Sequence, residues 1–187
     1  MKKIILFASG GGSNAEQIIK YAELSGNYTV AGVFTNKPQA GVLQKAAQYN
    51  VPAVVFTREE MEDGALLKRV NEIKPDLIVL AGFLWKFPAD IITNYPNKVV
   101  NIHPALLPNY GGKGMYGMNV HRAVHTNKEK ESGITIHYVN NNYDEGNIIF
   151  QQVVNVENCQ SPEEVAQKVL ALEHEHFPKV ITQLLNK

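Results

Sequence analysis

The sequence predicts an α/β fold: a doubly wound, Rossmann-like sheet, mostly parallel, with an antiparallel C-terminal hairpin and a long C-terminal helix. Three observations predict it. Short runs in the first hundred residues are almost continuously apolar and rich in Val and Ile, the pattern of parallel strands covered on both faces. Segments with helical spacing separate them and give repeated βαβ units. A glycine-rich turn follows the first run at once, where such sheets hold phosphate.

In chain order, the strands are IILFA (4–8), TVAGVF (29–34), AVVF (53–56), LIVLA (77–81) and KVVNI (98–102). Helical spacing covers 14–25, 40–49, 63–73 and 87–94. GGKGMYG (111–117) is a glycine-rich loop, followed by a short helix near 119–127. GITIHYV (133–139) and NIIFQQVVNV (147–156), joined by the polar turn NNNYDEGN, form the hairpin. Ser161 caps the last helix, with Pro162 in its first turn and Glu164 three residues on; it runs to about 185.

The chain has 187 residues, enough for one domain with a substantial core. Lys plus Arg and Asp plus Glu each number 18, so the net charge is zero and no polybasic run marks nucleic acid as a partner. The single Cys159, read as a strand-end residue without chemistry, allows no intrachain disulfide; a reducing, cytoplasmic setting follows. In MKKIILFASGGG the apolar run is too short for a signal peptide, and no run approaches the roughly 18 apolar residues that span a bilayer.

SGGGSN (9–14) joins the first strand to the first helix. Its glycines admit close approach of an anion, and the helix start offers free N–H groups. It is no P-loop, because the lysine is missing. Gly10, Gly12 and Ala15 match a dinucleotide fingerprint, but Asn36 and Lys37 end the second strand where a ribose-binding acid is expected; Lys37 suits a 2′-phosphate. A phosphorylated metabolite held by Gly11, Gly12, Ser13 and Asn14 is the third reading. A bare turn, capped by Ser13 with Glu16 as its capping-box partner, is the fourth.

Asn101 and His103 lie two residues apart, so they project to one side of the fifth strand, near its carboxyl end. Pro104 ends the ladder there and Pro108 stiffens the exit. An amide and a protonated imidazole are donors suited to negative charge on a carbonyl oxygen under attack, and the imidazole also supplies a proton. That role needs a raised pKa and a nearby carboxylate. Asp144 is the best candidate, with Glu145 as its neighbour. His121 and His125 have i, i+4 spacing but no intervening acid, so no metal site is expected. His137 shares a face with Thr135; His174 and His176 lie half-exposed on the last helix. Without a G-x-S-x-G turn, serine-hydrolase chemistry is not expected.

SGGGSN, VLAGF (79–83), NIHPALLP (101–108), GITIHYV with DEG (133–146) and EHEHFP (173–178) together resemble the folate-dependent phosphoribosylglycinamide (GAR) formyltransferases over essentially the whole chain. The resemblance implies transfer of a formyl group from 10-formyltetrahydrofolate to the amine of GAR in purine biosynthesis, with no metal. It puts the catalytic trio on Asn101, His103 and Asp144. It puts the ribonucleotide on Gly11, Gly12, Ser13, Asn14 and Glu173, and the folate on Arg58, Leu84, Trp85, Lys86, Phe87 and Asn101, together with Asn140, Asn141, Asn142, Tyr143 and Asp144. It implies one domain over 1–187, with a phosphate and substrate half (1–100) and a catalytic and folate half (101–187). Small molecules are then the partners, without nucleic acid or membrane, for a monomer or homodimer.

The sequence departs from the family pattern at Ala105, where Ser is common, at Trp85, where many members carry Arg, and in the lengthened loop YGGKGMYGMNVH. Methionyl-tRNA formyltransferases resemble the same core but carry a further C-terminal domain and a basic surface. Formyltetrahydrofolate deformylases carry an added N-terminal domain. A non-catalytic nucleotide-binding module is the alternative from another class.

Overall fold

The computed structural model describes residues 1–187. Strands β1 (Lys2–Phe7), β2 (Tyr28–Thr35), β3 (Ala53–Val55), β4 (Leu77–Leu80), β5 (Val99–His103), β6 (Glu131–Tyr138) and β7 (Ile148–Asn155) form one sheet in the order β3-β2-β1-β4-β5-β6-β7. The first five are parallel; β6 runs antiparallel to β5, and β7 to β6. This is the expected doubly wound sheet with its terminal hairpin. Helices α1 (Ser13–Ser25), α2 (Val42–Gln48), α4 (Ala65–Ile73), α5 (Ala89–Asn94), α6 (Met118–Thr126) and α7 (Pro162–Leu185) fall where the spacing puts them. A short α3 (Arg58–Glu62) adds to them. Its signal was legible: Thr57 accepts from Glu60 N, and the Glu60 carboxylate accepts from Thr57 N, a reciprocal capping box.

Alternation along the strands divides the core in two. Ile4, Leu6, Val79, Val100, Ile102, Ile134 and Ile136 face the helices α1, α2, α6 and α7. Ile5, Phe7, Ile78, Leu80 and Val99 face α4 and α5. On that second face Phe7 stacks on Phe34 at 5.0 Å and meets Phe56, Phe83 and Phe87 edge-on. Each such pair adds about 0.5–1.5 kcal/mol to the burial of its area. Helical cover of this face stops at β5. Asn101 and His103 follow Val99 on the same face, and Thr135 and His137 stand opposite them on β6. The polar side chains therefore occupy the part of the sheet that no helix covers.

Two local expectations change. Ser13 does not cap α1: the N-cap is Gly12, in the left-handed region at φ 76°, with no side-chain cap. A Cβ at Gly12 would come within 2.6–2.8 Å of Val42, so packing of α2 on the turn also requires glycine. Glu16 turns away from the cap to Lys45 and Lys20, whose hydrogen bonds and charge lower its pKa to about 2. Cys159 lies beyond the strand end, buried in the turn between β7 and α7. Ser161 does cap α7, accepting from Glu164 N at 3.3 Å, while the Glu164 carboxylate accepts from Gln160 N.

Candidate active site

The strand order reverses between β1 and β4, and open α/β sheets take their ligands at the carboxyl ends of the strands beside such a point. A cavity of about 540 Å³ opens there. Its lining joins the tip of β5 (Asn101, His103), the segment 82–87 after β4, the loop 112–117, the turn 140–144, and Asn14, His121 and Glu173 from helices. Ser9 ties the neighbouring strand ends together: its hydroxyl donates to Asn36 Oδ1 at 2.7 Å and accepts from Leu84 N at 3.0 Å.

Asn101, His103 and Asp144 meet in this cavity. His103 is 3% exposed, and its Nδ1 lies 3.6 Å from Asp144 Oδ2. Its Nε2 donates to the Tyr110 carbonyl at 2.7 Å. Both ring nitrogens thus face oxygens that only accept, an arrangement that suits the doubly protonated ring. Burial acts against it and holds the His103 pKa below the usual value, opposed by Asp144 and the Tyr110 carbonyl. This corrects the expectation of a raised pKa: a carboxylate at 3.6 Å offsets only part of the lost hydration. Asp144, not Glu145, faces the imidazole; Glu145 points to the exposed Asn142 amide.

His137 is the partner that the trio omitted. Its Nδ1 donates to the Tyr138 carbonyl at 2.9 Å, which leaves Nε2 to accept from Asn101 Nδ2 at 3.1 Å. That bond fixes the amide orientation and leaves its second N–H free. His137 Nε2 also lies 3.6 Å from Asp144 Oδ1, and Gly112 N–H donates to Asp144 Oδ2 at 3.0 Å. Burial alone would raise the Asp144 pKa; the groups around it, His103 and the Gly112 N–H among them, bring it below the ordinary range. Gly146 makes the approach of this turn feasible, since a Cβ there would sit 1.6 Å from the Tyr138 carbonyl. Thr135, in register with His103, donates to Ala105 O at 2.7 Å and accepts from Leu107 N at 3.0 Å, and so holds the proline-flanked exit. The alternation of Thr135 and His137 was readable in the sequence; their partners were not.

Asn14 Nδ2 donates to Glu173 Oε2 at 2.6 Å, joining α1 to α7 across 159 residues of sequence. Burial, the larger effect, raises the Glu173 pKa to about 7, and Asn14 opposes it. Leu84, Trp85, Lys86, Phe87 and the turn Asn140, Asn141, Asn142, Tyr143 and Asp144 all line the cavity. Gly11, Gly12 and Ser13 do not: they lie beside it, at the start of α1. Arg58 lies outside the lining as well, with its guanidinium 4.6 Å over the ring of Trp85, which does line it.

Residues 2–181 match the formyl transferase family, to which the chain therefore belongs. Among its relatives are several phosphoribosylglycinamide formyltransferases. That of Bacillus subtilis is 34% identical over 99% of this chain and 95% of its own length. The chloroplastic one of Arabidopsis thaliana is 39% identical over 96% of this chain. The chain spans 64% of the Arabidopsis protein and 61% of the Vigna unguiculata one, less than two thirds of either. The crystal structure of glycinamide ribonucleotide transformylase 1 from Geobacillus kaustophilus superposes with a TM-score of 0.89 at 32% identity, covering 99% of each chain.

Proposed function

We propose that the chain transfers the formyl group of 10-formyltetrahydrofolate to the amine of GAR in de novo purine biosynthesis, as a cytoplasmic enzyme. The observation that carries this reading is the meeting of Asn101, His103 and Asp144 in one cavity large enough for two small reactants. The relatives' names support it. In this reading GAR lies toward the start of α1 and Glu173. The folate lies toward 84–87 and 140–144, with Arg58 at its tail.

The GAR amine attacks the formyl carbon, and the carbonyl oxygen takes the electron pair. The free N–H of Asn101 donates to this oxyanion, beside the His103 ring. With the Nε2–H held by Tyr110 and the ring neutral, Nδ1 is the nitrogen open to accept a proton, beside Asp144. It takes the proton that the attacking amine gives up in the tetrahedral intermediate and passes it to the departing folate nitrogen as the carbon–nitrogen bond breaks, so the ring ends as it began. Holding both reactants in one orientation contributes up to about 7–11 kcal/mol in well-oriented reactions.

The test mixes the protein with GAR and 10-formyltetrahydrofolate and follows tetrahydrofolate. Asn101→Ala and His103→Ala are expected to lose about 10²–10³ in turnover, the effect of one oxyanion donor, and to keep GAR binding. Near-normal turnover in His103→Ala would remove that residue from the mechanism. NAD(P) binding without product would favour a nucleotide-binding module.

A further inference from the structure

His121, in the middle of α6, is a polar side chain left without a partner. It is 6% exposed and lines the cavity. Its Nδ1 is fully enclosed with no hydrogen bond, while Nε2 is not among the enclosed atoms and is the one open to the cavity. An enclosed polar atom without a partner costs about 1–3 kcal/mol, and native chains keep few of them. Packing gives no reason for this one. Val120 and Val124 on the same helix face belong to the core, and an apolar side chain at 121 would continue it.

The position of α6 indicates what completes the bond. α6 packs against α7, which brings Glu173 to the same cavity, where Asn14 of α1 meets it. His121 therefore belongs to the wall formed by α1, α6 and α7, apart from the segment 84–87 after β4. Burial first, and then the nearby His103, hold its ring in the neutral form, which offers one donor and one acceptor. An uncharged hydroxyl or amide, which donates and accepts, meets the open Nε2 in either tautomer. A phosphate, which only accepts, meets it only when Nε2 carries the proton.

We propose that His121 is a binding residue for the ribonucleotide substrate and that the amide or ribose hydroxyls of GAR complete the hydrogen bond the protein leaves open at its Nε2. The inference rests on the GAR reading above and adds a contact to it. It carries a signature that a packing role lacks: the group that binds substrate lowers the stability of the free protein, because it is unpartnered until substrate arrives.

The test is His121→Leu, with His121→Gln beside it. GAR binding is measured by calorimetry without folate, the melting temperature is taken on the free protein, and KM is measured for both substrates. His121→Leu is expected to weaken GAR binding about tenfold or more, to raise the GAR KM in proportion, and to leave the KM for 10-formyltetrahydrofolate within twofold. Its melting temperature is expected to equal or exceed that of the parent. His121→Gln, which keeps a donor and an acceptor, falls between the two in affinity. GAR affinity within twofold of the parent in His121→Leu overturns the proposal. So does a lower melting temperature or failure to fold, which would assign His121 to packing. The parent is the control for the reading beneath: if it neither binds GAR nor releases tetrahydrofolate, that reading fails. A competent parent with an unaffected His121→Leu removes only the His121 contact.

Discussion

Asp144 and Glu173 are carboxylates in the wall of one cavity, and their surroundings send them in opposite directions. Asp144 sits on the turn after β6, faced by two imidazoles and the Gly112 N–H, and its pKa falls below the ordinary carboxylate range. Glu173 sits in the middle of α7, faced by the single amide of Asn14, and burial raises its pKa to about 7. Burial penalises both charges. The charge and polarity of the groups turned toward each carboxylate decide the outcome. Asp144 is thus kept ionised beside the His103 ring, while Glu173 is near its midpoint at neutral pH and can both donate and accept.

The largest way to break this contrast is Asp144→Asn, which keeps the shape and removes the charge. Turnover is expected to fall by about 10²–10⁴, the range for a lost acid–base function, with GAR affinity retained. Steady-state kinetics beside calorimetry checks it; a loss of affinity equal to the loss of turnover would contradict it.

Glu173→Gln tests the other side through pH. The folded pKa of Glu173 lies above its ordinary 4.5, so the folded state binds more protons than the unfolded state between these values. The wild-type protein therefore loses stability as pH rises from 4.5 through about 7, and a glutamine loses none on this account. Glu173→Gln is expected to exceed the wild type by about 3 kcal/mol at pH 8 and to match it at pH 4. Denaturant midpoints at the two pH values measure this. An advantage for glutamine that does not grow with pH would contradict the assignment.

The smallest expected effect sharpens the contrast at its donors. His137→Phe removes the acceptor that orients the Asn101 amide and one group facing Asp144. The amide can then turn its oxygen toward the reacting carbonyl, and turnover is expected to drop about tenfold, the size of one net hydrogen bond. His137→Gln, which keeps an acceptor, is expected to recover part of it. Equal losses in the two variants would place the effect in packing.

The sequence by itself determined the strand and helix order, because burial on both faces of a parallel sheet leaves a local pattern of continuous apolar runs. It determined that Asn101 and His103 share a face, because strand alternation is fixed over two residues. It also contained the Thr57–Glu60 capping box that starts α3, although the apolar spacing alone passes over so short a helix. Only the tertiary structure decided that Asp144 rather than Glu145 meets the imidazole, since both lie on one turn and the choice depends on how Gly146 lets that turn approach β6. It alone joined Asn14 to Glu173, sent Glu16 to Lys45 and Lys20 in place of a cap, and left His121 enclosed without a partner. Local patterns record which face a residue takes. Hydrogen-bond partners and the balance between burial and nearby charge depend on segments far apart in the chain, and these exist only once the sheet has brought them together.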